Sequence, residues 1–324
     1  MREITVGGND SGQRLDRFLM KAFPLTIGVV MKALRNKDIK VNNKRAEAAY
    51  NLNEGDIIRI FRDDALLAEK PRAGCFYGVS TKLNIIYEDE NIILADKPAG
   101  LLCHESGENC SDTLSNRIKA YLYGKNEFVP KNENSFEPAL CNRLDRNTGG
   151  IVVAAKTAEA LRVLNDKIRR REVKKLYLCI LTGIPEKKTA TLTAYLEKDE
   201  TSNTVKITGK KTPLNKTIVT SYRVLKTIEK DGGLSLAEVD LITGRTHQIR
   251  AHMAYIGHPL LGDGKYGRRA DFAYGKKLGF KFQALYAYKL VFEFKENCPL
   301  DYLNGGSFET GKEQFLKTFD RLGS

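Results

Sequence analysis

Short apolar segments that alternate with turn residues run through most of this chain, and they constrain its fold more than any other feature. Eight of them have the length and composition of β-strands: 84–87, 92–95, 151–155, 176–181, 189–196, 203–208, 217–225 and 234–242. Helical spacing is confined to a few stretches, such as 111–123. Because turn residues separate neighbouring strands throughout, the pattern predicts an α+β fold with a mainly antiparallel mixed sheet.

Residues 1–62 are predicted to form a small α/β module of their own. Apolar residues at 15, 18, 19 and 22 have the spacing of one buried helical face, Pro24 ends that helix, and Thr26 is placed to cap a second one. The module contains 12 basic and 7 acidic residues and so carries a net positive charge. Residues 63–80 show no period and predict a linker, which leaves 81–324 as the main domain.

Composition and charge indicate which kinds of partner and which cellular environment to expect. The chain of 324 residues has a formal charge of +13, which favours a polyanionic partner. No segment approaches the roughly 18 apolar residues that cross a membrane, and the N-terminus lacks the apolar core of a signal peptide. We therefore expect a cytoplasmic protein that does not enter membranes. The six cysteines form no C-x-x-C pair, which predicts reduced, mostly buried thiols.

One carboxylate occupies an unusual place. Asp145 lies between Arg143 and Arg146 on a turn that leads directly into the apolar strand at 151–155. If the turn packs under that strand, the acid must stay ionised in a partly desolvated setting, which requires a nearby cation. Either an ordinary ion pair on a solvated loop or a catalytic carboxylate fits this stretch taken alone.

A second dense motif runs from 241 to 254. It predicts a strand that gives way to a helix at Gly244, with Thr246 as its cap. His247 and His252 are five residues apart, about 140° around a helix, unlike the i, i+4 pair of a zinc helix, so no metal site is expected. A further run of basic residues, from Lys167 to Lys175, predicts a solvated face or a phosphate contact.

Taken together, these segments resemble the RluA-type pseudouridine synthases. The similarity rests on Asn-Arg-Leu-Asp-Arg-Asn-Thr-Gly-Gly at 142–150, Lys-Lys-Leu-Tyr at 174–177 and Thr-Gly-Arg-Thr-His-Gln-Ile-Arg-Ala-His-Met-Ala at 243–254, in that order. The segments at 87–101 and 257–267 fit as well. The basic module at 1–62 resembles an S4 RNA-binding domain, which the members that act on large-subunit ribosomal RNA (RluC/RluD-like) carry.

The resemblance implies isomerisation of uridine to pseudouridine in RNA without a cofactor. It assigns Asp145 as the catalytic acid, which attacks the sugar or the base or assists elimination. Tyr177 would lie against the uracil and is a candidate base for the C5 proton. Arg250 would be the cation that holds Asp145 ionised, with Arg245 as its competitor for that role.

The expected partner is structured RNA, with ribosomal RNA ahead of transfer RNA, bound by a monomer. The target uridine must be flipped out of its stack, and Arg143 matches the arginine that fills the vacated space. The further RNA-binding residues that we predict are Arg146, Arg245 and His247 beside the site, and Lys32, Arg35, Lys37 and Lys44 in the N-terminal module.

Three positions of the first motif depart from the family pattern: Asn142 replaces the usual histidine, Asn147 the usual aspartate and Gly149 the usual serine. These changes leave open a non-catalytic RNA-binding or ribosome-assembly factor on the same fold. An RNA methyltransferase is disfavoured because no glycine-rich cofactor loop follows a strand. The neighbouring RsuA-type branch shares the Arg-Leu-Asp turn, but the helix at 247–253 favours the RluA type.

Overall fold

The protein forms two units that each have their own sheet. The structure, a computed structural model, describes residues 1–61, 75–105, 112–199, 201 and 204–323. The predicted linker at 63–80 therefore lies largely outside the described residues. In what is described, no helix combines the length and the apolar character that crossing a membrane requires.

The N-terminal unit packs two amphipathic helices on an antiparallel four-stranded sheet. Its core contains Leu15, Phe18 and Leu19, the residues that the helical spacing places on one face. Thr26 is the N-cap residue of the second helix, as predicted, although its side chain makes no capping hydrogen bond. The strand order is β1-β4-β2-β3, and the elements are β1 (Arg2–Thr5), α1 (Leu15–Ala22), α2 (Ile27–Arg35), β2 (Ile39–Val41), β3 (Lys44–Arg45) and β4 (Ile57–Ile60).

The larger unit is built on an eleven-stranded sheet, which confirms the predicted α+β class. Its order is β11-β10-β12-β13-β9-β14-β8-β6-β5, with β15 added to β14 and β7 to β8. The elements are β5 (Ile85–Glu88), β6 (Ile92–Lys97), α3 (Leu114–Gly124), β7 (Ala139–Leu140), β8 (Gly149–Ala155), α4 (Ala158–Arg169), β9 (Val173–Thr182), β10 (Thr189–Asp199), β11 (Thr204–Thr208), β12 (Lys216–Ile228), β13 (Leu234–Asp240), α5 (Gln248–Tyr255), α6 (Arg269–Lys277), β14 (Leu285–Phe292), β15 (Ser307–Glu309) and α7 (Lys312–Gly323).

The single parallel pairing within the described part of this sheet, β8 with β14, leaves one strand between the Asp145 turn and the strand that carries Tyr177. Strand β14 pairs with β8 on one side and with β9 on the other. Gly150 has a φ of +118°, and a Cβ on it would lie 2.2 Å from the carbonyl oxygen of Ala287. A glycine is therefore required at this crossing, because no side chain fits between the two backbones.

Polar side chains join the two units. The buried carboxylate of Asp10 accepts hydrogen bonds from Asn134 Nδ2 and Ser135 Oγ, both at 2.7 Å. Asn9 Oδ1 accepts from the backbone N–H of Ala158 at 3.0 Å, the first residue of α4. These contacts fix the N-terminal unit against the loop before β7 and the start of α4.

Two expectations about side chains need correction. Lys167 is buried and so does not lie on the exposed basic face. Its ammonium donates to the carboxylate of Glu172 at 2.9 Å, and this pairing allows both charges to be buried. The prediction of reduced thiols is confirmed for Cys103, Cys141, Cys179 and Cys298 but is wrong for Cys75, which is disulfide-bonded. Spacing alone could not reveal that bond, because disulfide geometry depends on distances in the folded chain.

Candidate active site

Asp145 lies on a turn that is anchored on both sides. The Leu144 N–H donates to the Sγ of buried Cys103 at 3.3 Å, and the Cys103 thiol faces the Leu144 carbonyl oxygen at 3.5 Å. On the other side, Lys97 Nζ donates to the carbonyl of Arg146 at 3.0 Å. The turn is thus held by its backbone, and the Asp145 side chain, 23% exposed, stands at the edge of a cleft.

Lys97 is an unusual anchor because it is fully buried. Its ammonium also donates to the carbonyls of Pro98 and Leu101, at 3.0 and 2.7 Å, so all three donors are used. Burial lowers the pKa of Lys97 to about 8, against the opposing charges of Cys103 and Asp145. At neutral pH the residue is still an ammonium, which ties the loop at 98–101 to the Asp145 turn.

Arg250 is the cation that the Asp145 carboxylate contacts. Its Nη1 donates to Asp145 Oδ2 at 3.1 Å, while its Nε and Nη2 donate to the two oxygens of Asp263 at 2.7 and 2.9 Å. Burial lowers the pKa of Arg250, but the stronger combined effect of Asp263 and Asp145 raises it overall. Arg245, the competing candidate, is exposed and lines the same cleft, and its side chain has no ion pair with Asp145 among the described residues.

Asp263 was not predicted as a site residue, although it is the better-buried partner of the arginine. Its side chain is 0% exposed, and it also accepts from the backbone N–H groups of Lys265 and Tyr266. Burial raises the pKa of Asp263, but the Arg250 guanidinium and the two N–H groups lower it overall. A signal was present in the Gly-Asp-Gly-Lys-Tyr-Gly segment at 262–267, where one acid stands among turn residues.

Tyr177 lies in strand β9 and is buried with Cys179 and Leu181 on one face of the sheet. It lines the cleft into which Asp145 projects. Burial, with a smaller contribution from the Asp145 charge, raises the pKa of Tyr177 well above its ordinary value. The residue therefore presents an aromatic surface and a protonated hydroxyl at neutral pH.

The Asp145 turn separates two cavities. One, of about 500 Å³, is lined by Tyr177, Arg245 and the basic residues at 169, 171 and 175. The other, of about 600 Å³, is lined by His104, Lys265, Phe272 and Lys281. Arg143, Asp145, His247 and Arg250 belong to both walls. The carboxylate can thus be reached from either side by a substrate that enters the cleft.

The helix that carries Arg250 begins later than the sequence predicts. Its cap is His247, in a left-handed conformation with a φ of +52°, so the prediction of Thr246 as the cap is wrong. Gln248 explains this start, because its buried side chain accepts from the Thr243 hydroxyl and the Arg245 N–H. These local bonds hold the 243–247 segment as a turn in place of a first helical turn.

The predicted RNA-binding residues fall into two groups. Arg143 and Arg146 are exposed next to Asp145, and Arg146 Nε also donates to the Gly100 carbonyl at 3.2 Å. The second group lies in the N-terminal unit, where the side chains at 32, 35, 37 and 44 are all exposed around α2 and the β2–β3 turn.

Two of the three departures in the first motif have a structural explanation. Asn142 Oδ1 accepts from the Val153 N–H at 2.8 Å, which ties the turn to β8. A Cβ on Gly149 would lie 2.8 Å from the ring of Tyr286, so a serine does not fit unless that tyrosine moves. Asn147 lines the larger cavity, and nothing in the structure explains the choice of asparagine there.

No group of three or more histidine, cysteine, aspartate or glutamate side chains is arranged to hold a metal in the part of the chain that the structure describes. The side chains around Asp145 supply a carboxylate, a guanidinium, a phenol and an imidazole.

Comparison with known proteins places this chain in a family. The sequence model of RNA pseudouridylate synthases matches residues 91–255. A ribosomal large subunit pseudouridine synthase C of Rickettsia felis is 34% identical over 81% of this chain and 84% of its own length. An uncharacterized RNA pseudouridine synthase of Mycoplasma genitalium is also 34% identical, over 99% of this chain and 98% of its own. Among solved structures, human RNA pseudouridylate synthase domain containing 4 shares the fold, with a TM-score of 0.56 and 21% identity over 74% of this chain and 92% of its own.

Proposed function

The chain belongs to the RNA pseudouridylate synthase family and is an RluA-type RNA pseudouridine synthase, and from that premise we propose that it converts uridine to pseudouridine in large-subunit ribosomal RNA with Asp145 as its catalytic carboxylate. The substrate class is that of the relative from Rickettsia felis, whose name assigns it to the ribosomal large subunit. Family membership favours an enzyme over a non-catalytic factor on the same fold.

One observation carries the assignment of Asp145. It is a partly exposed carboxylate whose Oδ2 is bound by a buried guanidinium, on a backbone-anchored turn between two cavities. The reaction breaks the bond between N1 and the ribose C1′, turns the base and joins C5 to C1′, while the C5 hydrogen leaves as a proton and N1 gains one. An ionised carboxylate serves attack at the sugar, attack at the base or assisted elimination alike.

The remaining assignments follow from position. Tyr177 is proposed to lie against the uracil, and Arg250 to keep Asp145 ionised and oriented. The phenol could act as a base for the C5 proton only by passing on its own proton, since burial raises the pKa of Tyr177. Arg143, exposed and lining both cavities, is proposed to fill the space of the flipped uridine, while Arg146, Arg245 and His247 contact the RNA.

We propose residues 1–62 as an S4-like RNA-binding domain. Its exposed cations, Lys32, Arg35, Lys37 and Lys44, offer a surface for the RNA backbone. Because one chain supplies every proposed catalytic residue, we propose that a monomer acts, in the cytoplasm and without a cofactor.

Release of tritium tests the reaction. Transcripts of large-subunit ribosomal RNA that carry tritium at C5 of uridine should release it with the wild-type protein and not with Asp145→Asn. The exposed Glu159 of α4 supplies a matched control, and Glu159→Gln should release tritium at the wild-type rate. Equal release by Asp145→Asn would refute the catalytic assignment, and no release by wild type from any transcript would refute the substrate.

Carbodiimide-stop sequencing in cells with and without the gene would then locate the modified uridine. A missing pseudouridine in transfer RNA alone would replace ribosomal RNA as the proposed substrate.

A further inference from the structure

A contact with RNA does not by itself account for His247, because its ring is built into the site. The side chain is 10% exposed, and the backbone takes a left-handed conformation that non-glycine residues rarely adopt. The ring nitrogens face two different groups. Nδ1 lies 2.7 Å from the hydroxyl of Tyr266, and Nε2 lies 3.9 Å from Oδ2 of Asp145.

The Tyr266 hydroxyl determines which ring nitrogen carries the hydrogen. Its oxygen accepts from the backbone N–H of Val205 at 3.0 Å. Among the described residues, the His247 ring is the other hydrogen-bonding partner of this hydroxyl. Because Nε2 faces a carboxylate oxygen of Asp145, which can only accept, the arrangement that suits both neighbours has the phenolic hydrogen directed to Nδ1. A neutral imidazole that accepts at Nδ1 has its hydrogen on Nε2.

The environment favours that neutral form. Burial lowers the pKa of His247, the Asp145 charge opposes this effect, and Arg250 adds to it. The guanidinium of Arg250 also lies 5.2 Å from the centroid of the Tyr266 ring, so the tyrosine is packed from two sides. The hydroxyl is thus fixed in place by the backbone of β11 and by the packing of its ring.

We propose that His247 is a positioning residue whose Nε2–H, set by Tyr266, is directed at Oδ2 of Asp145 and leaves Oδ1 as the oxygen that faces the substrate. This inference rests on the proposed catalytic role of Asp145. Arg250 Nη1 already binds Oδ2, so both donors converge on the same oxygen. The distance of 3.9 Å exceeds a hydrogen bond, and we expect it to shorten when RNA excludes water from the cleft.

Nitrogen spectroscopy tests the tautomer without any RNA. The chain has four histidines, so long-range ¹H–¹⁵N spectra of histidine-labelled protein can be assigned by single substitutions. The expected spectrum shows a protonated Nε2 and an unprotonated Nδ1 for His247. Tyr266→Phe, which keeps the ring but removes the hydroxyl, should shift the His247 signals and leave those of His252, whose Nδ1 contacts the Thr220 hydroxyl, unchanged. A protonated Nδ1 in wild type would overturn the proposal.

Kinetic measurements test the positioning role of His247. We expect His247→Asn, whose short side chain tolerates the left-handed backbone but does not reach Asp145, to lower kcat about 10- to 100-fold, the loss of one hydrogen bond to a charged group, with KM changed less than about threefold. His247→Gln, which can place an amide N–H near the Nε2 position, should recover part of the rate. A raised KM at unchanged kcat would show that His247 only contacts the RNA, and this result would refute positioning.

These outcomes separate the two proposals. If wild type forms no pseudouridine, the proposed function fails, whereas the spectrum still reports the tautomer. If wild type is active and His247→Asn equals it in kcat, the positioning role alone is wrong.

Discussion

Two carboxylates, Asp145 and Asp263, share the guanidinium of Arg250 in this site. Replacing one by its isosteric amide should affect mainly activity, and replacing the other should affect mainly stability. Asp263 is fully buried and accepts four hydrogen bonds, two of them from Arg250. Asp145 is 23% exposed and accepts one from Arg250. We therefore expect Asp263→Asn to lower the free energy of unfolding and Asp145→Asn to abolish activity with little effect on stability.

The magnitudes follow from the contacts. Breaking a buried ion pair costs about 3–5 kcal/mol when the remaining charge is uncompensated. In Asp263→Asn, Asp145 still compensates Arg250, so the loss should be near the lower end, about 3 kcal/mol. The new amide also directs its NH₂ toward N–H donors, which cannot pair with it. In Asp145→Asn, Arg250 keeps both bonds to Asp263, and the partly exposed amide is solvated, so the change should stay below about 1 kcal/mol.

The two variants should also differ in their rates of tritium release. Asp145→Asn is expected to release no tritium from C5-labelled RNA. Asp263→Asn should retain a rate reduced about 10- to 100-fold, because Arg250 keeps its charge but loses the bidentate contact that orients it.

Urea unfolding measures the stability difference. Since the chain has no tryptophan, far-ultraviolet circular dichroism is the suitable probe. Equal slopes with different midpoints would show that stability alone changed. The reasoning is refuted if Asp145→Asn destabilises the protein as much as Asp263→Asn, or if Asp263→Asn matches wild type in both assays.

Three further predictions concern the surroundings of the site. Gly149→Ser should destabilise the protein by about 1–3 kcal/mol in urea unfolding, because the serine would overpack against Tyr286. The double variant with Tyr286→Ala should lose less stability than the two single variants lose in sum. Strict additivity would exclude the contact. Lys97→Met should cost about 2–4 kcal/mol, because it removes the buried ammonium that donates to three carbonyl oxygens, and it should also slow tritium release. A variant with wild-type midpoint and rate would contradict the anchoring role. Replacing Lys37 and Lys44 by glutamine should raise KM at constant kcat and reduce the salt dependence of RNA binding. Lys317 is exposed on α7, and Lys317→Gln should change neither quantity. An unchanged salt dependence would show that the N-terminal unit does not contact the RNA.

The local elements and the family motifs could be predicted from the sequence because they depend on neighbours along the chain. The helical face of Leu15 and Leu19 and the end of α1 before Pro24 are set within a few residues. The antiparallel character of the sheet followed from short strands separated by turns. The need for a cation beside Asp145 was anticipated from charge, and the family resemblance named Arg250 for that role, with Arg245 as its competitor.

Tertiary structure decided which arginine pairs with Asp145 and what supports it. Arg250 and Asp145 are 105 residues apart, and the choice over Arg245 depends on helix α5 starting at Gln248, which side-chain bonds to the preceding turn determine. The buried charges of Lys97 and Asp263 could not be read from a local pattern, because a charged residue at a strand end or in a turn is normally solvated. Nor could the sequence reveal that Gly149 makes room for Tyr286, since these residues meet only where β8 and β14 run side by side. Contacts between distant segments depend on the order of the strands in the sheet, and no periodic pattern along the chain encodes that order.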